Sequence, residues 1–219
     1  MQKKENTSWK TVFKNASENI GILLREKEIA LFEKYLLLLE EWNKKINITA
    51  IKSREEIAIK HFIDSLSVLK HVSLSGKIAD LGSGGGFPGI PLKIVEPALD
   101  LVLIEPIRKR ANFLRTAVTG LKLEKISVFN GRTEDFPENG IFDFTISRAL
   151  ADLKTFCVLS VPILKPGGYM VAMKGRETDA EIEKTKVALP EIKIVQKTEF
   201  ELPGKSGSRS ILVLQKCFT

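Results

Sequence analysis

Two cysteines and two histidines in 219 residues are too few for a disulfide framework or a metal centre. Cys157 and Cys217 stand far apart with no Cys-x-x-Cys pair, and only His61 and His71 accompany them, so neither a disulfide framework nor a zinc site is expected. Aromatic residues make up 7% of the chain, which argues against an extended base-stacking platform. No apolar run reaches membrane-spanning length, and Met1-Gln2-Lys3-Lys4-Glu5-Asn6 leads into no stretch of signal-peptide type, so a cytoplasmic protein without a membrane anchor is expected. Internal repeats, low-complexity tracts and a flexible interdomain linker are also missing. What remains is 43% hydrophobic and 28% charged, enough for one α/β core with a modest extension. Lysine and arginine number 34 against 27 acidic residues, a net +7 that favours a polyanionic partner without proving one.

The first third of the chain reads as helix. Ile29, Leu31, Phe32, Tyr35, Leu36, Leu38, Leu39 and Trp42 recur at three- and four-residue spacing from Glu26 to Lys44, an amphipathic pattern. Glu55 to Val72 repeats it with Ile57, Ile59, Phe62, Ile63, Leu66, Val68 and Leu69, and Ser53 is its candidate cap. Ser8 to Asn19 is a shorter candidate. After Ser75-Gly76 the pattern turns to short β-rich runs at Lys77 to Leu81, Leu101 to Glu105, Ile126 to Phe129, Phe142 to Ser147 and Gly168 to Lys174. Helical candidates separate them at Gly89 to Val95, Ile107 to Thr119, Ala151 to Leu164 and Asp179 to Leu189. This alternation predicts parallel strands with right-handed crossovers. The last two runs, Ile192 to Leu202 and Ser208 to Lys216, are joined by Pro203-Gly204-Lys205-Ser206-Gly207, as in a hairpin. The expected fold is therefore α/β, a Rossmann-like, mostly parallel seven-stranded sheet with a C-terminal antiparallel hairpin. Residues 1–72 are expected to form a helical extension packed on a core of residues 73–219.

The most informative segment is Ile78-Ala79-Asp80-Leu81-Gly82-Ser83-Gly84-Gly85-Gly86-Phe87-Pro88-Gly89. A short apolar strand runs into a glycine-rich turn and then a helix, where backbone must turn sharply and approach a ligand closely. Asp80, two residues before the first glycine, suits a ligand with an amino group and positive charge better than a pyrophosphate. S-adenosylmethionine is such a ligand, and the five parallel strands followed by an antiparallel pair match the methyltransferase variant of the fold. Gly84-x-Gly86-x-x-Gly89 formally fits the dinucleotide fingerprint as well. It begins three residues past Leu81, and no later Tyr and Lys pair or His supplies a hydride-transfer acid, so a nicotinamide-dependent oxidoreductase ranks below.

Ligands of open α/β sheets bind beyond the carboxyl ends of the strands. Glu105 ends a strand 105 − 82 = 23 residues past Gly82, where an acidic residue accepts from both ribose hydroxyls; its bland reading is a solvated strand-end charge. Gly131-Arg132-Thr133-Glu134-Asp135 is either a plain polar loop or an adenine contact. Ser147-Arg148-Ala149-Leu150 stands where a catalytic loop belongs. An adenine-amino methyltransferase would carry an Asn-Pro-Pro-Tyr-like run there, and a cytosine carbon-5 enzyme a nucleophilic cysteine; neither is present. Cys157 lies within the apolar run Phe156 to Leu164 and reads as core.

Several of these segments together resemble the bacterial ribosomal RNA small subunit methyltransferase G family, also called glucose-inhibited division protein B. Trp42-Asn43-Lys44-Lys45-Ile46-Asn47-Ile48-Thr49, His61-Phe62-Ile63-Asp64-Ser65, Asp80 to Pro91, Lys109-Arg110 with Phe113-Leu114, Arg132-x-Glu134, Ser147-Arg148-Ala149 and Lys174-Gly175 follow the family's order. Departures are small: many members have Asp where Glu105 stands, and often Pro and Leu where Gly85 and Phe87 stand. The resemblance implies S-adenosylmethionine-dependent methylation of the 7-position nitrogen of one guanine in the 530 loop of 16S ribosomal RNA. By the family's pattern and the strand ends, the cofactor residues are Asp80, Gly82, Gly84, Phe87, Glu105, Pro106, Ile107, Thr133, Glu134 and Arg148. Arg148 is also the expected positioning residue where cofactor and guanine meet. That nitrogen has a lone pair and no proton, so transfer needs no obligatory base. Arg108, Lys109, Arg110, Arg115 and Lys174 are candidate RNA contacts, with Lys44, Lys45, Lys122 and Lys125 behind them; a solvated helix face is the bland reading. His61, Asp64, Trp42 and Asn43 read as contacts holding the helical extension to the core. A monomer acting on 16S RNA or the small subunit, without metal, is expected. The rivals are a noncatalytic ribosome-assembly factor, which intact Asp80, Glu105 and Arg148 argue against, and a small-molecule or protein methyltransferase, which would need no RNA.

Overall fold

A computed structural model describes residues 8–148, 152–175 and 178–217. Ala149, Leu150 and Ala151, read above as parts of a catalytic loop and of a helix start, lie outside the described residues.

Two helices open the chain, α1 (Trp9–Asn19) and α2 (Glu26–Ile46). The Glu28 side chain reaches back to the Arg25 backbone N–H at 2.8 Å and starts α2, and Asn47 ends it in the left-handed region at φ 49°. The next helix begins as α3 (Arg54–Ile57), with Ser53 accepting from the Glu56 N–H at 3.4 Å. It widens to a π-helix over Ala58–Ile63 and closes as α4 (Asp64–His71). Apolar spacing alone made this one α-helix; such widened turns recur at functional sites.

From Lys77 the chain alternates strand and helix: β1 (Lys77–Leu81), α5 (Gly89–Val95), β2 (Asp100–Ile104), α6 (Arg108–Gly120), β3 (Ile126–Phe129), β4 (Phe142–Arg148), α7 (Leu153–Ser160), β5 (Leu164–Lys174), α8 (Asp179–Ala188), β6 (Ile192–Glu201) and β7 (Ser208–Lys216). One seven-stranded sheet results, in the order β3-β2-β1-β4-β5-β7-β6. β1 to β5 pair in parallel, and β7 lies antiparallel between β5 and β6. The expected helix to Leu164 stops at Ser160, because Pro162 carries no N–H to continue it. β5 starts at Leu164 instead and bulges before Tyr169, since Phe142 faces Leu164 while Phe144 faces Tyr169.

Alternation along the strands sends side chains to opposite faces. Ala79, Leu81, Val102 and Ile104 pack with Phe156 and Cys157 of α7 and Ile182 of α8. Ile78, Leu101, Phe144 and Ile146 pack with Val68 and Leu92 on the other face. A third cluster joins Phe13, Phe32, Tyr35 and Phe62 of the N-terminal helices to Phe87, Ile90, Leu103 and Phe113. Phe13 stands edge-on to Phe32 at 4.7 Å between ring centroids, a geometry aromatic pairs favour. The helical third is thereby pressed against the glycine turn that follows β1.

Candidate active site

The turn after β1 is held from three sides. Gly84 sits at φ +55° with nothing nearer than 3.8 Å to an added Cβ, so its conformation and not crowding calls for glycine. At Gly89 the reason is crowding: an added Cβ would stand 2.8 Å from Asp80 Oδ2. The Gly89 N–H donates to that same oxygen at 3.0 Å, tying the start of α5 to the end of β1. The Tyr35 hydroxyl donates to the Gly85 carbonyl from α2. The third tether is Glu105, just past β2 and 2% exposed. Its carboxylate accepts from the Gly84 N–H and the Ile107 N–H, each at 2.8 Å, and Asn130 donates to its carbonyl at 2.9 Å.

Asp80 is fully buried, and its Oδ1 has no hydrogen-bond donor among the described residues. Burial pushes its carboxyl up to about 7, against the Gly89 N–H and the Ser83 hydroxyl, which favour the charged form. Phe87 is 5% exposed and carries the Arg148 guanidinium over its ring at 4.8 Å, a cation–π arrangement. The His61 ring stacks on the same phenylalanine at 4.5 Å.

Arg148, the last residue of β4, is gripped by the third helix. Its Nη1 donates to the Lys60 carbonyl at 2.9 Å and to Asp64 Oδ2 at 3.2 Å, and its Nη2 meets His61 Nδ1 at 3.1 Å. His61 Nδ1 also lies 3.1 Å from the Lys60 carbonyl, but a guanidinium only donates, so the Arg148 contact assigns Nδ1 as acceptor and Nε2–H then donates to the Thr49 hydroxyl at 2.8 Å. Burial, with Arg148 beside it, lowers the His61 pKa to about 3, which keeps the ring neutral at physiological pH.

The other expected residues fall into two groups. Thr133 is buried and Glu134 exposed in a short 3-10 turn beyond β3, at the sheet edge that also bears Glu105, Pro106 and Ile107. Gly82, at φ 68°, completes the turn after β1. Arg108, Lys109 and Arg115 are exposed along α6 and Arg110 is half-buried, so the basic run faces solvent from the same edge. Lys174, at the end of β5, pairs with Glu181 at 2.9 Å. Trp42 packs edge-on to Phe113 at 5.8 Å, and Asn43 bonds both the N–H and carbonyl of Thr49 at 2.8 Å. Cys157 is fully buried and its thiol is pushed up to about 12 by burial, a packing group and no nucleophile. Tyr35 and Arg209 were singled out by no motif, yet both touch this constellation.

A glycine turn after β1, an acidic residue at the tip of β2 and an antiparallel last strand inserted beside β5 define a Rossmann-like methyltransferase. The fold is shared with a solved SAM-dependent methyltransferase from Aquifex aeolicus, with a TM-score of 0.55 at 20% identity over 78% of this chain and 97% of that one. The model of the family rRNA small subunit methyltransferase G matches residues 28–211. Ribosomal RNA small subunit methyltransferase G of Geobacter sp. (strain M21) is 38% identical over 211 residues, covering 94% of this chain and 97% of the relative. Its counterpart in Caldanaerobacter subterraneus is 41% identical over 210 residues, covering 91% and 87%. The chain belongs to the rRNA small subunit methyltransferase G family.

The fold is that of a solved SAM-dependent methyltransferase, and the residues of this site fit such a ligand. Asp80 offers a buried carboxylate oxygen without a donor, suited to an ammonium group. Glu105 uses two of its roughly four acceptor positions on backbone amides and keeps others for ribose hydroxyls. Among the described residues no helix is long and apolar enough to cross a membrane.

Proposed function

We propose that this protein methylates the 7-position nitrogen of a single guanine in the 530 loop of 16S ribosomal RNA, with S-adenosylmethionine as methyl donor. The observation that carries the reading is the convergence at one sheet edge of Asp80, the Gly82 to Gly86 turn, Glu105 and an Arg148 stacked on Phe87, in a chain of this family.

When bound, the cofactor supplies an electrophilic methyl group on a sulfonium. Asp80 would take its amino group, Glu105 its ribose hydroxyls, and the segments Pro106-Ile107 and Thr133-Glu134 its adenine. The guanine nitrogen brings its own lone pair and no proton, so no residue has to remove one, and no metal is needed to activate a nucleophile. Positioning then dominates, and holding reactants in a near-attack arrangement contributes about 7–11 kcal/mol. Arg148 suits that task because four separate contacts fix it. The basic face of Arg108, Lys109, Arg110 and Arg115, with Lys174, would meet RNA phosphates. The same reading puts the enzyme in the cytoplasm, acting as a monomer on the small subunit or its RNA.

The test is transfer of labelled methyl from S-adenosylmethionine to small ribosomal subunits from cells lacking this protein, followed by nucleoside analysis. One labelled 7-methylguanosine in 16S RNA is the expected result. Cofactor binding without incorporation into any RNA would overturn it in favour of another acceptor or an assembly role.

A further inference from the structure

Beside the cofactor edge lies a cleft of about 460 Å³ lined by Lys60, His61, Asp64, Arg148, Lys174 and Arg209, among others. At its wall stands a three-residue bridge. Asp64, 3% exposed, accepts from Arg148 Nη1 on Oδ2 at 3.2 Å and from Arg209 Nε on Oδ1 at 3.1 Å. A buried carboxylate with a guanidinium on each oxygen is costly to build, because desolvation of three charges opposes their attraction. Packing alone would be served as well by apolar side chains of similar size, so the bridge calls for another reason.

The geometry gives one. Arg209 comes from the start of β7, and β7 runs antiparallel to β5, with Lys174 opposite Ser210. Its beginning therefore lies at the carboxyl edge of the parallel strands. Arg209 uses Nε on Asp64 and Nη1 on the Ser208 carbonyl at 3.0 Å, and its Nη2 has no hydrogen-bond partner among the described residues. We infer that Asp64 is a positioning residue that holds Arg209 and Arg148 as a paired donor set, and that this pair binds the backbone phosphate of the nucleotide being methylated.

This rests on the function proposed above. A phosphate is the fitting occupant because a planar guanidinium fork matches its oxygens. Arg148 then positions the guanine through that phosphate, since a base gaining positive charge at its 7-position nitrogen would not settle directly against two cations. Asp64 between the arginines lowers their mutual repulsion and leaves one net positive charge facing the anion.

The experiment compares the wild-type chain with Asp64→Asn, Arg209→Ala and the double variant. Small subunits serve as substrate, S-adenosylmethionine affinity is followed by calorimetry, and thermal melts check folding. Removing the Asp64 charge makes the protein more positive, so general electrostatics predicts tighter RNA binding. Positioning predicts the opposite: an RNA KM raised about tenfold by either single change. The dependence of log affinity on log salt flattens by about 0.7–0.9, one phosphate's worth. Asp64→Asn weakens RNA binding less in the Arg209→Ala background than in the wild type, because one of the two arginines it holds is already gone, and Arg209→Ala keeps its cofactor affinity. RNA binding that stays equal or tightens in Asp64→Asn overturns the inference, as does a fall in kcat for Arg209→Ala with the salt slope unchanged, which would make it a base contact. Should Asp64→Asn fail to fold, Arg209→Ala alone decides through its KM and salt slope. A wild-type chain that binds cofactor and methylates no RNA refutes the function itself, and the phosphate role with it.

Discussion

Replacing Glu105 by glutamine tests the cofactor site at constant side-chain size. The carboxylate accepts from the Gly84 and Ile107 amides at 2.8 Å each. A glutamine has one carbonyl oxygen and one NH2 group, so either orientation turns a donor against one of those two donors. One charge-assisted bond is lost outright, and the acceptor left for a ribose hydroxyl is neutral. Hydrogen bonds to charged groups contribute about 1.5–3 kcal/mol against 0.5–1.5 for neutral ones. The bond lost within the turn is made with or without cofactor and lowers stability, whereas exchanging a charged for a neutral acceptor at the ribose costs about 1–1.5 kcal/mol, cofactor binding weaker by about five- to tenfold. Because Glu105 is 2% exposed, added salt should leave the difference nearly unchanged. Isothermal titration with S-adenosylmethionine is the assay, beside a melt to confirm folding. Glu105→Asp keeps the charge but is one methylene short of spanning both amides and should fall between wild type and glutamine. A folded Glu105→Gln variant whose affinity stays within about twofold of wild type would remove Glu105 from the site.

Three further outcomes follow from the same contacts. The Asp80 carboxyl, pushed up to about 7, keeps a proton in the folded state that the unfolded chain releases near pH 4. Its contribution to stability is therefore present at low pH and lost as pH rises from about 4 to about 7. Urea unfolding across that window should show a downward slope that Asp80→Asn flattens, and parallel profiles would refute the assignment. Tyr35→Phe leaves the Gly85 carbonyl without its buried donor, costing about 1–3 kcal/mol. That lowers the melting temperature by about 2–4 °C per kcal/mol, and an unchanged melt would sink the tether. Phe13→Ala, at a fully buried ring, should cost about 3–5 kcal/mol in one cooperative transition. A separate early unfolding of the helical third would contradict the shared core.

The strands and helices were legible because apolar alternation, helical periodicity and glycine punctuation agree along the chain. Where they compete, reading fails: Pro162 and Gly167-Gly168 blur the end of α7 and the start of β5. The π-helix over Ala58–Ile63 is invisible because its apolar residues also satisfy α spacing. At the site, Glu105 and Arg148 could be found by asking what stands where each parallel strand stops. Arg209 could not, since it begins its strand and reaches the same edge only because β7 is reversed. Asp64 reads from the sequence as a contact holding the helical extension to the core, but which residues it meets cannot be read there. Its partners lie 84 and 145 positions away, and no local pattern pairs residues over such distances.

Much of the burial of charge in this chain gathers at the carboxyl edge of the sheet. Asp80, Glu105 and Asp64 are each 3% exposed or less, and Arg148 meets the last of them. Elsewhere Lys93 and Glu28 are also buried, but Lys93 donates to the Pro97 and Leu99 carbonyls and closes a loop, while Glu28 accepts from the Arg25 N–H and starts α2. Natural sequences keep costly buried ionisable groups mainly where function needs them, so this concentration points to the site independently of the glycine motif. It also says what kind of chemistry the site is built for. His61 is the one imidazole there, and with a pKa lowered to about 3 and its Nδ1 occupied by Arg148 it is a poor proton acceptor. A site that spends its histidine on holding an arginine suits a nucleophile that arrives already deprotonated, as the 7-position nitrogen of guanine does.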